Sequence, residues 1–396
     1  MTGSMTDQPT DDREAGTQFA GFSRCAKRYQ RQRMAVAAIE WATEAAILVG
    51  LLVLGWSVEL REIARRMAGL ARSPWLVVLL YLLAVVLLFG LVSGAFSAVR
   101  TFVVSRRFGL STQSFWGWLI DELKGLAVGG LLALIAVEIL YALLRHYPGS
   151  WWVLAGGAFS ILFLLLAHLA PVVVFPLFFR FTRITDSEIT QRLERLAERA
   201  GTRIAGVYEV NLSRKSRVAN AALVGLGRTR RILLADNLLD NFTLDEIEAV
   251  LAHEFAHNAQ RHPLKVITVQ VSMFFLVFYG VHRALVVLHD RWGLQGAGDV
   301  ANLPLVVLTV AVLGLVLLPV TNGLLRHFER RADEHALRLT TQPRAFCSAL
   351  QRLAQINLAD RCPNTLIEWI FYSHPAIDNR IARAEVILSK TTNEAS

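Results

Sequence analysis

Residues 75–99 contain no Asp, Glu, Lys or Arg, and neither do residues 151–179 or 302–325. A helix needs about 20 mainly apolar residues to cross a bilayer. A buried helix of a soluble protein instead gives runs of about 10–14 residues with one polar face. Three weaker runs complete the set: residues 41–56, which contain Glu44; residues 125–144, which contain Glu138; and residues 266–281. The expectation is a mainly helical, polytopic membrane protein of about six transmembrane helices. The composition agrees, with 54% hydrophobic and 18% charged residues against the usual quarter charged.

The remaining segments divide the chain. Residues 1–34 read as a disordered, polar and basic N-terminal tail, with no apolar core or cleavage site of a signal peptide near the start. Four spans occupy 35–180 and two more occupy 264–325. Between and after them, 181–263 and 326–396 are polar enough to form a water-facing domain. Within the first of these, "DSEITQRLERLAERAG" reads as a helix capped near Asp186 and stopped by Gly201. "TRIAGVYEVNL", "RVANAALVGLG" and "RTRRILLAD" read as short strands of a small β-sheet, with a hairpin turn around Gly227.

Net charge is +9, and its distribution follows the membrane. Arg24, Lys27, Arg28, Arg31 and Arg33 precede the first span, and Arg100, Arg106 and Arg107 follow the second. By the positive-inside rule both termini and both polar segments face the cytoplasm. The loop at 58–74, with four arginines, runs against that trend. No basic cluster interleaved with aromatics is present, so nucleic acid is not an expected partner. Cys25, Cys347 and Cys362 have no CxxC spacing and read as free thiols. Only five of the basic residues are lysine; this arginine bias fits a G+C-rich genome, so the expected location is a bacterial inner membrane, with the endoplasmic reticulum as the alternative.

The chemistry gathers in "TLDEIEAVLAHEFAHNAQRH". Thr243 and Glu246 form a capping-box pair, and Leu244, Ile247, Val250 and Leu251 supply a helical stripe. Nothing breaks that helix before Pro263. His253 and His257, four residues apart, share one face and can reach one ion. Glu254 lies about 100° around the helix, placed to act on the water that completes a three-ligand zinc site. This HExxH arrangement is that of zinc peptidases. The metzincin continuation is absent, since Gln260 and Pro263 stand where it needs Gly and His, and His262 is one position short of it. A gluzincin takes its third ligand from a later helix. "GLLRHFERRADEHAL" offers Glu329, with Asp333 one turn on and suited to orient a ligand histidine. The alternative for these two acids is a solvated charged helix paired with Arg326, Arg330 and Arg331.

These residues resemble the type I CAAX prenyl protease family, integral-membrane zinc endopeptidases related to the HtpX heat-shock proteases. The similarity extends from about residue 90 through "FGLSTQSFWGWLIDELKG", "PLFFRFTRI", "SRKSRVANAALVGLGRTRRILLADNLL" and "SHPAIDNR". The resemblance implies one zinc per chain on His253, His257 and Glu329, with Glu254 as general base and Asp333 in support. It further implies that Asn220 and Ala221 lie on the strand that holds substrate backbone, and that His374 and Arg380 sit near the developing oxyanion. Ala222 and Leu223 depart from the family's aromatics after Asn-Ala. Eukaryotic members usually have seven spans, so six imply a smaller or less closed chamber.

The expected function is zinc-dependent hydrolysis of peptide bonds in membrane-associated or lipid-modified proteins, in quality control or maturation. CAAX-type processing of prenylated peptides is the alternative within that class. A transporter or non-catalytic scaffold with structural zinc is the alternative outside it, although no internal repeat is visible. Glu138 and His168, at membrane depth, read as packing residues rather than site residues.

Overall fold

The computed structural model describes residues 10–69, 73–185, 188–225, 227, 230–288 and 290–394. In chain order its helices are α1 (Thr10–Val53), α2 (Trp56–Ala68), α3 (Pro74–Ala98), α4 (Phe115–His146), α5 (Trp151–Leu169), α6 (Phe175–Phe178) and α7 (Glu188–Arg199). They continue with α8 (Asp236–Asn241), α9 (Leu244–Ala259), α10 (His262–Leu288), α11 (Leu303–Thr340), α12 (Pro343–Ile356), α13 (Thr365–Phe371) and α14 (Ile377–Glu394). Four short strands, β1 (Phe181–Ile184), β2 (Val207–Val210), β3 (Ala221–Val224) and β4 (Arg231–Ala235), form the only sheet among the described residues. The chain is the expected mainly helical polytopic protein. Among the described residues, six stretches are long and apolar enough to cross a membrane: Phe22–Val53, Pro74–Ser105, Phe115–His146, Trp151–Phe178, His262–Leu288 and Val300–Thr340.

The six long helices adjoin one another in the order α1, α3, α4, α5, α10, α11 and back to α1, so they close a ring. Small residues let the backbones approach. A Cβ on Gly156 of α5 would lie 2.6 Å from the Phe275 ring of α10. The arginine-rich loop at 58–74 is explained by α2, which at 13 residues is too short to span and lies over one end of the ring. Its Ser57 and Arg61 point inward and are buried. Arg61 pairs with Asp299, and Ser57 reaches Tyr81 Oη at 2.6 Å and donates to the Ala301 carbonyl at 2.7 Å.

The N-terminal segment departs from expectation. Of the tail read as disordered, residues 1–9 lie outside the described residues, but α1 runs straight through position 34. The reason is a face that finds cover: Tyr29 packs edge-on against Phe108 at 5.3 Å, and Gln30 donates to the Leu358 carbonyl at 3.0 Å. This end of α1 therefore ties the ring to the polar domain.

In that domain the strand order is β1-β2-β4-β3, with β2 and β4 parallel and the outer pairs antiparallel. The three expected strand segments each contain one strand, and β1 is a fourth that extends directly from the end of α6. The cap expected near Asp186 lies outside the described residues, as do 226, 228 and 229 of the expected hairpin turn. Helices α7, α9, α12 and α14 cover the sheet through one apolar cluster that includes Leu196, Ile232, Leu234, Leu251 and Phe255.

Candidate metal centre

Helix α9 begins where the capping pair places it. The Thr243 hydroxyl accepts from the Glu246 amide at 3.3 Å, and the Thr243 amide donates to Glu246 Oε2 at 2.9 Å. Two otherwise unmatched amides at the helix start are thereby satisfied. Leu251, Ala252, Phe255 and Ala256 are buried, which fixes the rotation of the helix. That rotation turns His253 and His257 toward α11, which approaches closely because Ala332 and Ala336 are small and fully covered. Helix α11 runs unbroken from membrane depth to Thr340, carrying Glu329 and Asp333 on its inward face.

Three ligand side chains converge. His253 Nε2 lies 3.1 Å from His257 Nε2 and 3.2 Å from Glu329 Oε2, and His257 Nε2 lies 3.3 Å from Glu329 Oε1. Bond lengths of about 2.0–2.1 Å to a tetrahedral ion require ligand spacings of about 3.3–3.4 Å. The two imidazole nitrogens approach that spacing, and one ligand atom from each of His253, His257 and Glu329 lies within 4.8 Å of the others, so the three side chains face a common point. Two nitrogens and one carboxylate leave the fourth position open, as in catalytic rather than structural zinc sites. Glu329 Oε2 is buried against the His253 ring nitrogen at 3.2 Å, and a cation at that point would offset the cost of burying the carboxylate charge. The donors present fit a zinc-type ion.

The solvated-helix alternative for Glu329 and Asp333 does not hold, since both are less than a tenth exposed. Arg326 turns away and donates to the Glu368 and Tyr372 carbonyls at 2.9 and 2.6 Å. With Asn322, which donates to the Ile370 carbonyl at 2.6 Å, it anchors α13 and the turn that follows. That turn delivers His374, whose Nε2 lies 3.4 Å from Glu329 Oε1 while its side chain stays 60% exposed.

Asp333 is shared. Its Oδ1 lies 2.8 Å from His253 Nδ1, and it receives Arg380 Nε at 2.9 Å and Nη2 at 2.7 Å. The structure thus places Arg380 as a bidentate partner of Asp333 as well as on the cleft wall. The cleft is lined by Asn220, Ala221, His253, Glu254, His374 and Arg380. Asn220 and Ala221 sit at the start of β3, the edge strand of the sheet, where the Asn220 carbonyl accepts from the Ala235 amide at 2.9 Å. Glu138 and His168, on α4 and α5, are not part of this cluster.

Electrostatics follow from burial and partners. Burial works against the His253 imidazolium, but Asp333 and Glu329 outweigh it and raise its pKa to about 9. Burial raises the Glu254 carboxyl above the usual carboxylate range, with His253 and His257 pulling it back. Burial also lowers His374, so its neutral form is favoured.

One site residue was not assigned from sequence. His262, read only as a misplaced metzincin histidine, is buried, stacks on Phe328 at 4.6 Å and 15°, and brings Nδ1 to 3.0 Å from His257 Nδ1. It stands to His257 as Asp333 stands to His253. The signal was the spacing: five residues past His257, across a turn at Arg261 that takes positive φ.

Comparisons agree with this geometry. Residues 183–387 match the sequence profile of peptidase family M48, and residues 22–180 match a profile described as CAAX prenyl protease N-terminal, five membrane helices. In this chain that region holds four long spans and α2. A Bacillus subtilis protein named "Uncharacterized metalloprotease YhfN" is 29% identical over 286 residues, 71% of this chain and 67% of that one. The "Probable CAAX prenyl protease 1" of Schizosaccharomyces pombe is 27% identical over 301 residues, 75% of this chain and 63% of its own length. The crystal structure of S. mikatae Ste24p superposes with a TM-score of 0.81 at 22% identity, covering 91% of this chain and 88% of that one. That likeness establishes a common fold.

Proposed function

This chain belongs to peptidase family M48 and is a membrane metalloprotease, and we propose that it is a zinc endopeptidase of prenylated and other lipid-bearing peptides at the cytoplasmic face of a bacterial inner membrane. The observation that carries the reading is the convergence of His253, His257 and Glu329, one ligand atom of each lying within 4.8 Å of the others, beside a cleft that Glu254 lines. The substrate class is supported by the relatives named as CAAX prenyl proteases. It is supported as well by α10, which follows the metal helix directly into the membrane and so sets the cleft at its boundary. The arginines flanking the spans support the cytoplasmic orientation, and maturation or quality control of membrane proteins is the setting that follows.

His253, His257 and Glu329 would hold the zinc, which when bound supplies Lewis-acid polarisation and a water that ionises near neutral pH. Asp333 orients the His253 ring through Nδ1 and Arg380 holds Asp333 in place. Glu254, raised by burial, is tuned toward the range in which a carboxylate both takes and returns a proton. It accepts the proton of the attacking water and delivers it to the departing amine. The edge of β3 at Asn220 and Ala221 holds the substrate backbone by strand addition. His374, exposed at the cleft and favoured neutral, donates a hydrogen bond to the charge that develops on the scissile carbonyl. A scaffold with structural zinc is disfavoured: such sites take four protein ligands, and here three ligand side chains gather among the described residues, with Glu254 lining the adjoining cleft.

The test uses purified full-length protein in detergent, wild type beside Glu254→Gln. Zinc content is measured together with cleavage of a quenched farnesylated peptide, its unmodified counterpart and a membrane protein. One zinc per chain in both proteins, with chelator-sensitive cleavage in wild type alone, is the expected result. Equal cleavage by Glu254→Gln would overturn the mechanism. Preference for the unmodified peptide would overturn the substrate class while leaving the peptidase intact.

A further inference from the structure

A cavity of about 470 Å³ lies away from the metal centre, between the start of α4, the end of α6 and the loop from β2 to β3. Helix α4 starts and α6 ends on the side of the ring that carries the polar domain, so the cavity sits at the membrane boundary. Its walls bring together Lys124, Arg180, Arg214 and Lys215 against a single acid, Asp121. Two of the cations are fixed in place. Lys215 pairs with Asp121 at 2.8 Å and lies over the Phe179 ring at 4.5 Å, and Lys124 donates to the Leu177 carbonyl at 2.9 Å. The guanidinium groups of Arg180 and Arg214 have no ion pair among the described residues and are exposed. An ordinary positive-inside flank spreads its charge along a loop. Here three segments distant in sequence converge their cations on one concavity with a net excess of three positive charges.

The surface below the cavity indicates what the anion is attached to. On α4, Ile120, Lys124, Leu131 and Ile135 lie on one helical face by their spacing. Ile120, Leu131 and Ile135 are 51, 58 and 41% exposed, so a track of uncovered apolar side chains descends from the cationic cavity to membrane depth. Trp116, 70% exposed at the start of the helix, belongs to the amphipathic ring type that anchors at the headgroup level. A free anion would use the cavity and leave the track bare. A zwitterionic lipid would bring its own cation into a site that already has too many.

We propose that this cavity is a headgroup site for an anionic phospholipid, with Arg180 and Arg214 on the phosphate and an acyl chain along Ile120, Leu131 and Ile135. Guanidinium groups suit the phosphate because their paired N–H donors match its oxygens. Lys124 and Lys215 add fixed positive charge at the rim. The site does not depend on the peptidase reading and does not touch the metal cleft.

Native mass spectrometry of the full-length protein, stripped of lipid in a neutral detergent and titrated with phosphatidylglycerol or phosphatidylcholine, tests the proposal. One phosphatidylglycerol is retained about tenfold or more tightly than phosphatidylcholine, on the basis of roughly fivefold per cation near the headgroup. Arg180→Gln and Arg214→Gln each weaken retention about fivefold, and the double variant weakens it about thirtyfold. Arg344→Gln, an exposed charge elsewhere, leaves it unchanged. Because Arg180 and Arg214 make no ion pairs among the described residues, the variants fold, which an unchanged thermal midpoint verifies. Inorganic phosphate and a short-chain phosphatidylglycerol separate the sources: the first fails to displace the bound lipid and the second binds more weakly. Equal retention of the two full-length lipids, or wild-type retention by the double variant, overturns the site. Displacement by inorganic phosphate at comparable concentration overturns the lipid assignment.

Discussion

Replacing Asp333 by Asn isolates the support beneath the metal ligands. The carboxylate faces His253 Nδ1 at 2.8 Å and takes two hydrogen bonds from Arg380, and the Asp333 and Arg380 side chains are both only 11% exposed. Two effects are superimposed in Asp333→Asn. Losing the partner that orients a ligand histidine costs about 10–100-fold in metal affinity, or about 1.4–2.7 kcal/mol. Separately, Arg380 is left buried without a counter-charge, and breaking such a pair from one side costs about 3–5 kcal/mol of stability. The double variant Asp333→Asn/Arg380→Gln separates them, because it removes the stranded charge without restoring the carboxylate that faces His253. Zinc affinity, measured by competition with a chromogenic chelator, falls in both variants, whereas the thermal midpoint of the metal-stripped protein recovers in part only in the double variant. Wild-type zinc affinity in Asp333→Asn would refute the orienting role. A double variant no more stable than the single one would refute the burial of charge as the cause of the instability.

Three further outcomes follow from the same geometry. His262→Phe keeps the stack on Phe328 but removes the contact to His257 Nδ1, and is expected to lower zinc affinity about tenfold with the fold intact by circular dichroism; unchanged affinity would make His262 mere packing. In the metal-stripped protein, the raised His253 pKa of about 9 contributes stability that is fully present below about 6.5 and is lost as pH rises through 9. The midpoint at pH 6 should exceed that at pH 9.5 by the equivalent of about 3 kcal/mol, and this dependence should vanish with zinc bound, since the metal then replaces the proton. Thr243→Ala removes the helix cap and should cost about 1 kcal/mol, read as a lower thermal midpoint; no shift would mean that the tertiary contacts of α9 alone hold its start.

The uncharged runs, the capping pair and the HExxH spacing are local, and periodicity alone makes them legible. Six spans follow from the cost of exposing backbone or charge to hydrocarbon, and the common face of His253 and His257 follows from the pitch of a helix. What lay beyond the sequence depends on which surfaces meet. The 13 residues of α2 and their arginines look like an awkward loop until Arg61 finds Asp299, 238 positions away. The segment before the first span looks like a polar tail until Tyr29 and Gln30 meet Phe108 and Leu358. Strand β1 carries no pattern of its own, because four residues acquire an extended conformation only by pairing with β2. Apart from the family resemblance, Arg380 could not be told from a surface cation, and its pairing with Asp333 arises only when α14 packs against α11. The residue types and their helical faces were settled by the chain's own periodicity. The partners that give those residues their charge states and orientations were settled by the packing of helices remote in sequence, because a buried charge takes its properties from whatever the fold brings against it.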